Sequence, residues 1–209
     1  YEWCLLSAYR LEDYTKVYPI ARGTAPIFIV TLSLFLFGVS ISTFELMGIL
    51  AISFGIIVLS FQNNRNFKNY SAAVYALSTG LFISFYSISD GYGGRVSDSP
   101  LNYTAWLMIL NAVIFSILLI IMNKPGVIKK VLNEEKKILF IGGTLSFTVY
   151  AAVVWAFTQA PVPLVAALRE TSIIFALLIG SLFLKEKFTF FKTTAVLTIF
   201  FGVILLKFL

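Results

Sequence analysis

A 48-residue stretch of this chain is written twice. Sliding residues 14–61 by 147 positions lays them on residues 161–208 without a gap, and 12 of the 48 pairs are identical. Chance, in a chain so rich in Leu, Ile and Phe, would supply about four. Arg22 falls on Arg169, Thr24 on Thr171, Phe28 on Phe175, Phe44 on Phe191 and Gly55 on Gly202. Any fold for this sequence must hold two copies of one unit, each with an arginine at the same point of an otherwise apolar run.

Those runs set the solvent. Of the 209 residues 59% are hydrophobic and only 12% charged, against roughly 25% charged in soluble domains. Apolar stretches near the ~20 residues that cross ~30 Å of hydrocarbon recur along the chain. An all-α polytopic membrane protein is expected, with the lipid bilayer as its main partner. A membrane β-barrel would alternate polar and apolar residues in ~10-residue strands, and VLTIFFGVILLKFL does not alternate. A single cysteine, Cys4, and the absence of histidine leave no internal disulfide, no multi-thiolate or His-based metal site and no histidine proton relay. No cofactor, metal or catalytic set is expected. The net charge of +6 is gathered in loops rather than along one face, which argues against nucleic acid.

The apolar runs give one partial span, 1–9, and seven full ones: 19–38, 43–61, 70–89, 103–122, 138–158, 161–184 and 188–208. Residues 1–62 then read as the end of the third span and the fourth and fifth spans of a first repeat, and 63–209 as a complete second repeat of five spans. The first copy is short at its front, so the expected parent chain has about 290 residues, with two further spans and the start of a third upstream of Tyr1. An odd number of crossings starts the next unit on the opposite face, so the two halves are expected to be inverted about an axis in the membrane plane. Loops 10–16, 62–69, 123–137 and 185–192 carry 2, 2, 5 and 3 Lys or Arg, while the other side has only Arg95 and Lys207. The positive-inside rule puts the basic loops in the cytoplasm and the C-terminus outside; the 123–137 loop reads as a solvated connector.

The segments YTKVYPIARGTAPIFIVTLSLFLFG, ALSTGLFISFYSISDGYGGRVSDSPLNYTAW and APVPLVAALRETSIIFALLIGSLFLKEKFTFFKTTAVLTIFFGVILL resemble the EamA family of the drug/metabolite transporter superfamily. The resemblance implies an inverted-repeat bundle of ten spans in the bacterial inner membrane and a secondary transporter, many relatives being exporters of amino acids and other metabolites. Two points depart from the family pattern. The acidic residue after the fourth span is Glu186 in the second copy but Val39 in the first. Relatives also keep both termini in the cytoplasm, opposite to the loop charges, so the two readings of orientation disagree.

Seven residues are substrate-path candidates. Arg22 and Arg169 would cost about 2.5–3.5 kcal/mol each at mid-membrane, so they should face a cavity or a partner; snorkelling to headgroups is the competing reading. A guanidinium grips carboxylate or phosphate in bidentate fashion. Matched depth in inverted copies would place the two arginines in opposite halves of the membrane. Glu170 and Asp90 are the candidates for proton coupling, because neighbours and burial set a carboxylate's protonation. Glu170 could instead pair with Arg22 or Arg95, and Asp90 could begin a turn with Gly91. Tyr18, Tyr86 and Trp155, with Phe157 beside them, are candidates for stacking on a substrate, although such residues also form interfacial belts, the reading preferred for Trp106. Pro19, Pro26 and the APVP segment read as ordinary helix starts, with broken transporter helices as the alternative. Ala76, Gly80 and Ser84, and Gly48, Gly55 and Gly202, read as close-packing positions.

The function expected is secondary transport of a small metabolite, an amino acid or related organic solute, by alternating access, with export favoured and the proton as candidate coupling ion, in a monomer or homodimer. The alternative is a membrane-embedded enzyme acting on a lipid or isoprenoid substrate. A channel would need a filter or charged ring, and neither is visible.

Overall fold

A computed structural model describes residues 1–62, 69–122, 125–183, 185 and 189–207. Glu186 and the middles of the basic loops, 63–68, 123–124 and 186–188, lie outside the described residues. The helices are α1 (Glu2–Leu11), α2 (Tyr14–Phe37), α3 (Thr43–Val58, prolonged by a 3-10 turn Leu59–Gln62), α4 (Tyr70–Val96), α5 (Pro100–Ile121), α6 (Pro125–Glu134), α7 (Lys136–Gln159), α8 (Val162–Glu170), α9 (Ser172–Phe183) and α10 (Phe190–Lys207). Among the described residues six stretches are long and apolar enough to cross a bilayer: Tyr14–Phe37, Thr43–Gln62, Tyr70–Val96, Pro100–Ile121, Lys136–Gln159 and Val162–Phe183. The seventh expected span is α10, a shorter apolar helix whose rise is about 27 Å.

Local chemistry explains several boundaries. Ser42 and Glu45 form a capping box at the start of α3: the Ser42 hydroxyl accepts from the Glu45 amide at 3.2 Å and the Glu45 carboxylate accepts from the Ser42 amide at 2.7 Å. This satisfies two of the orphan donors of a helix start. Gly38 closes α2 with φ of 59°, the left-handed conformation that favours glycine.

Three expectations need correction. Pro19 and Pro26 lie inside α2 rather than at its start, and the helix runs through both; each only withdraws one donor, from the carbonyl four residues back. The arginine-bearing helix of the second copy is the interrupted one. It breaks at Thr171, whose amide turns to the Leu168 carbonyl at 3.0 Å, so the break sits directly after Arg169 and Glu170 and involves no proline. Asp90 and Gly91 begin no turn, because α4 continues to Val96. The 123–137 connector contains a helix, α6.

The chain packs as two units, Tyr1–Ser89 with Pro161–Leu209, and Asp90–Ala160. The first is organised around α3 and α10, with Ile49, Ile52, Ile56, Ala167 and Ile199 in its core. Glycine lets these two helices approach backbone to backbone. A Cβ on Gly48 would lie 2.9 Å from the Gly202 carbonyl oxygen, and one on Gly55 would lie 3.0 Å from the Ala195 carbonyl oxygen. Moving forward along α3 from 48 to 55 moves the partner backward along α10 from 202 to 195, so the helices run antiparallel. The 147-residue offset makes Ala195 the counterpart of Gly48, and Gly202 that of Gly55. The contact 48–202 therefore maps onto 55–195, the self-complementary pattern that a two-fold axis generates. Equivalent helices of the repeat run in opposite directions, as the odd span count requires. Lipid offers no hydrophobic drive between helices, so such small-residue contacts are what hold them. Gly80 of α4 likewise packs on Ala21 and Thr24 of α2.

In the second unit α5 packs on α7. Arg95, counted above as a loop charge, occupies the last turn of α4 and donates to the carbonyls of Phe157 and Ala160 at 2.9 and 2.8 Å. It caps the C-terminal end of α7, where a cation also suits the helix dipole.

Candidate functional site

The two repeat arginines meet on one carboxylate. In the first unit Arg22 Nη1 lies 3.3 Å from Glu170 Oε1, and Arg169 Nη2 lies 3.6 Å from the same oxygen. This overturns the expectation that the arginines stand apart in opposite membrane halves. Arg22 comes eight residues after the start of α2 and Arg169 seven after the start of α8, depths of about 12 and 10 Å. Two long side chains carried that far into their helices reach one shared carboxylate. Glu170, which the first copy replaces with Gly23, supplies the shared counter-charge. Both arginine side chains are mostly buried, 23% and 15% exposed, and are held by this pairing.

Tyrosines complete the cluster. Arg22 Nε donates to the Tyr18 hydroxyl at 3.3 Å, with the guanidinium 5.6 Å from the ring centroid. Arg169 Nη2 donates to the Tyr86 hydroxyl at 3.1 Å, its guanidinium 6.0 Å from that ring. Both distances fall in the range of cation–π attraction. Tyr1 adds a tilted ring contact to Tyr86 at 5.4 Å. Arg169 Nε is buried and has no hydrogen-bond partner among the described residues, an unusual state for a guanidinium nitrogen. The set carries two positive charges against one negative charge, so it retains one net cation. Pro26 withdraws the helical donor from the Arg22 carbonyl, leaving an acceptor on the same residue.

The second unit holds another carboxylate arrangement. Asp90 is 4% exposed; it accepts a hydrogen bond from the Tyr103 hydroxyl at 2.9 Å and another from the Tyr150 hydroxyl. Gly93, one turn beyond Asp90, leaves the space that the Tyr103 ring fills. Trp155, on α7 of the same unit, is 58% exposed.

Of the seven sequence candidates, the structure thus brings Arg22, Arg169, Glu170, Tyr18 and Tyr86 together, while Asp90 and Trp155 belong to the other unit. Tyr1, Tyr103 and Tyr150 were not singled out in the sequence. Tyrosine is frequent here, ten in the chain, and only tertiary packing distinguishes those that meet a charge. No cluster of three or more His, Cys, Asp or Glu able to hold a metal exists among the described residues.

The EamA-like transporter family matches this sequence over residues 70–208, well over half of the chain. No curated protein matches it. Six helices of bilayer length among the described residues accord with a membrane transporter family. The chain belongs to the EamA-like transporter family, part of the drug/metabolite transporter superfamily, and is a multi-pass membrane transporter.

Proposed function

We propose that this protein is a secondary carrier for a small anionic or zwitterionic metabolite, such as an amino acid or related organic solute, and exports it by alternating access across the bacterial inner membrane. The observation that carries the reading is the pair of guanidinium groups sharing the single Glu170 carboxylate. One uncompensated positive charge in a mid-membrane cluster is matched by one carboxylate or phosphate, and the buried Arg169 Nε is a donor awaiting it. The Arg22 carbonyl offers an acceptor for an ammonium group, which suits a zwitterion. The antiparallel packing of α3 on α10 supports two inverted halves that rock about a central site. The tyrosine-held Asp90 is the candidate proton site. The alternative, a membrane enzyme with Asp90 and Glu170 as acid and base, gains no support, since each carboxylate is occupied by its own tyrosine or arginine partners.

The test is Arg169→Ala in proteoliposomes loaded with a panel of carboxylates, amino acids and phosphate. Transport of whichever substrate the wild type moves is expected to vanish, with folded yield and oligomer profile unchanged. Undiminished transport with the same substrate preference in that variant refutes the proposal.

A further inference from the structure

The 147-residue offset sets the pair α2 and α3 against α8–α9 and α10, and the two sets are packed differently. In the first copy α2 runs along α3 at a separation that only glycine permits. A Cβ on Gly23 would lie 3.0 Å from the Ser53 carbonyl oxygen and 3.2 Å from the Ile57 amide nitrogen. The second copy has Glu170 in that place, and its side chain keeps α8 from approaching α10 as α2 approaches α3. Among the described residues α8 packs on α2 and α3 instead, and neither α8 nor α9 packs along α10.

A cavity of about 520 Å³ opens where that packing is missing. Ile173, Ala176 and Leu177 of α9 form one wall; the starts of α2 and α10 and the 3-10 turn after α3 form the others. The first-copy counterparts of those three α9 residues, Pro26, Ile29 and Val30, are all buried, whereas Ala176 is exposed. The second copy thus holds open a space that the first copy has closed. Tyr18 lines the cavity and its hydroxyl receives Arg22 Nε, so the space borders the arginine cluster.

A single 3-10 step joins α8 to α9. The amide and the hydroxyl of Thr171 both donate to the Leu168 carbonyl, at 3.0 and 2.6 Å. A short 3-10 step inside a helix often marks a hinge, and a hydroxyl bonded to the backbone competes with the helical ladder. The counterpart Thr24 donates a full turn back, to the Ile20 carbonyl at 2.8 Å, within the unbroken α2. The two sides of Thr171 are held unequally. Glu170 pins α8 between the two arginines. On the other side α9 meets the core through Ile173 and Ile174, while Ile179, Leu182 and Phe183 are exposed.

We infer that α9 is the gate of this cavity. It pivots at Thr171 while α8 stays fixed, and it closes against the starts of α2 and α10, cutting the arginine cluster off from that side of the membrane. The inference rests on the carrier reading above and adds to it the moving element and its hinge. With 12 residues, α9 is about 18 Å long, and a swing of about 20° carries its far end about 6 Å.

The experiment is pulsed electron paramagnetic resonance between spin labels on Leu182→Cys and Thr193→Cys, both exposed positions, in the full chain with Cys4→Ser in lipid nanodiscs. Two distance populations about 5 Å or more apart are expected, the longer being the open cavity. Ala176→Trp wedges the cavity, so it should remove the shorter population and most of the transport of whichever substrate the wild type moves. Leu177→Trp, from the same wall, should act alike, and Ala176→Ser should change neither readout. A single distance in the otherwise unaltered protein overturns the inference, as do two populations that both tryptophan variants leave unchanged. Undiminished transport by either tryptophan variant, at the wild-type melting temperature, also overturns it. The labels report the gate whether or not any solute is moved, so failure of the carrier reading shows separately, as a wild type that transports nothing in proteoliposomes.

Discussion

Glu170→Gln isolates the charge that holds the arginine cluster together, because the amide keeps the shape of the side chain. Glu170 Oε1 lies 3.3 Å from Arg22 and 3.6 Å from Arg169. At an effective dielectric near 20, each pair is worth about 5 kcal/mol of Coulomb attraction. Desolvation of all three groups and repulsion between the guanidinium groups offset much of that in the native protein. Removing one partner from a buried ion pair nonetheless costs about 3–5 kcal/mol, because the charge left behind is uncompensated. With two arginines stranded and both mostly buried, the upper part of that range is expected. The variant should also respond to anions in a way the native protein does not. A carboxylate bound where the lost charge stood would restore about 2.7 kcal/mol at a hundred times its dissociation constant. The assay is thermal unfolding of detergent-purified protein with increasing succinate, against chloride at matched ionic strength. Glu170→Gln should unfold well below the native protein in chloride and recover most of the difference in succinate, while the native protein moves much less. A variant that melts at the native temperature, or succinate shifts equal in the two proteins, would refute the reasoning.

The α3–α10 contact yields a second outcome. A Cβ on Gly202 would stand 2.7 Å from the Gly48 carbonyl oxygen and 3.0 Å from the Ile52 amide nitrogen, backbone atoms that cannot swing aside, so Gly202→Val should destabilise by about 1–3 kcal/mol. Gly55→Val should do the same, and the double variant should cost less than the sum, since helices already parted by one side chain accept the other; unfolding temperatures of the three proteins check this. Asp90→Asn should abolish the pH dependence of vesicle transport if Asp90 is the proton site, and Tyr150→Phe, which removes one of its two hydroxyl donors, should shift the pH profile without abolishing transport. Pumping that keeps the native pH profile in both Asp90→Asn and Glu170→Gln would exclude either carboxylate as the coupling group.

Much of the architecture was legible before any coordinates, because a membrane permits few answers. In lipid every backbone polar group must be satisfied within its own segment, so an apolar run of bilayer length can only be a helix, and counting the runs gives their directions relative to one another. That logic yielded the spans, the antiparallel relation of α3 and α10, and the close-packing roles of Gly48, Gly55, Gly80 and Gly202. The repeat also marked Arg22 and Arg169 as a related pair. It was misleading on their separation, since both guanidinium groups reach the one Glu170 carboxylate.

Partners are a different matter, since apolar periodicity carries no information about which polar side chain meets which. Glu170 has no counterpart in the first copy, and nothing local says that it takes both arginines rather than Arg95, whose real partners are the carbonyls at the end of α7. The tyrosines on Asp90 come from α5 and α7, 13 and 60 residues away, and nothing local marks Lys192 as buried, although it is 3% exposed. The chain alone determined that it spans a bilayer as an inverted pair, because lipid punishes every alternative. Only the folded protein decided which charges share a space, because that depends on side chains reaching across helices far apart in sequence.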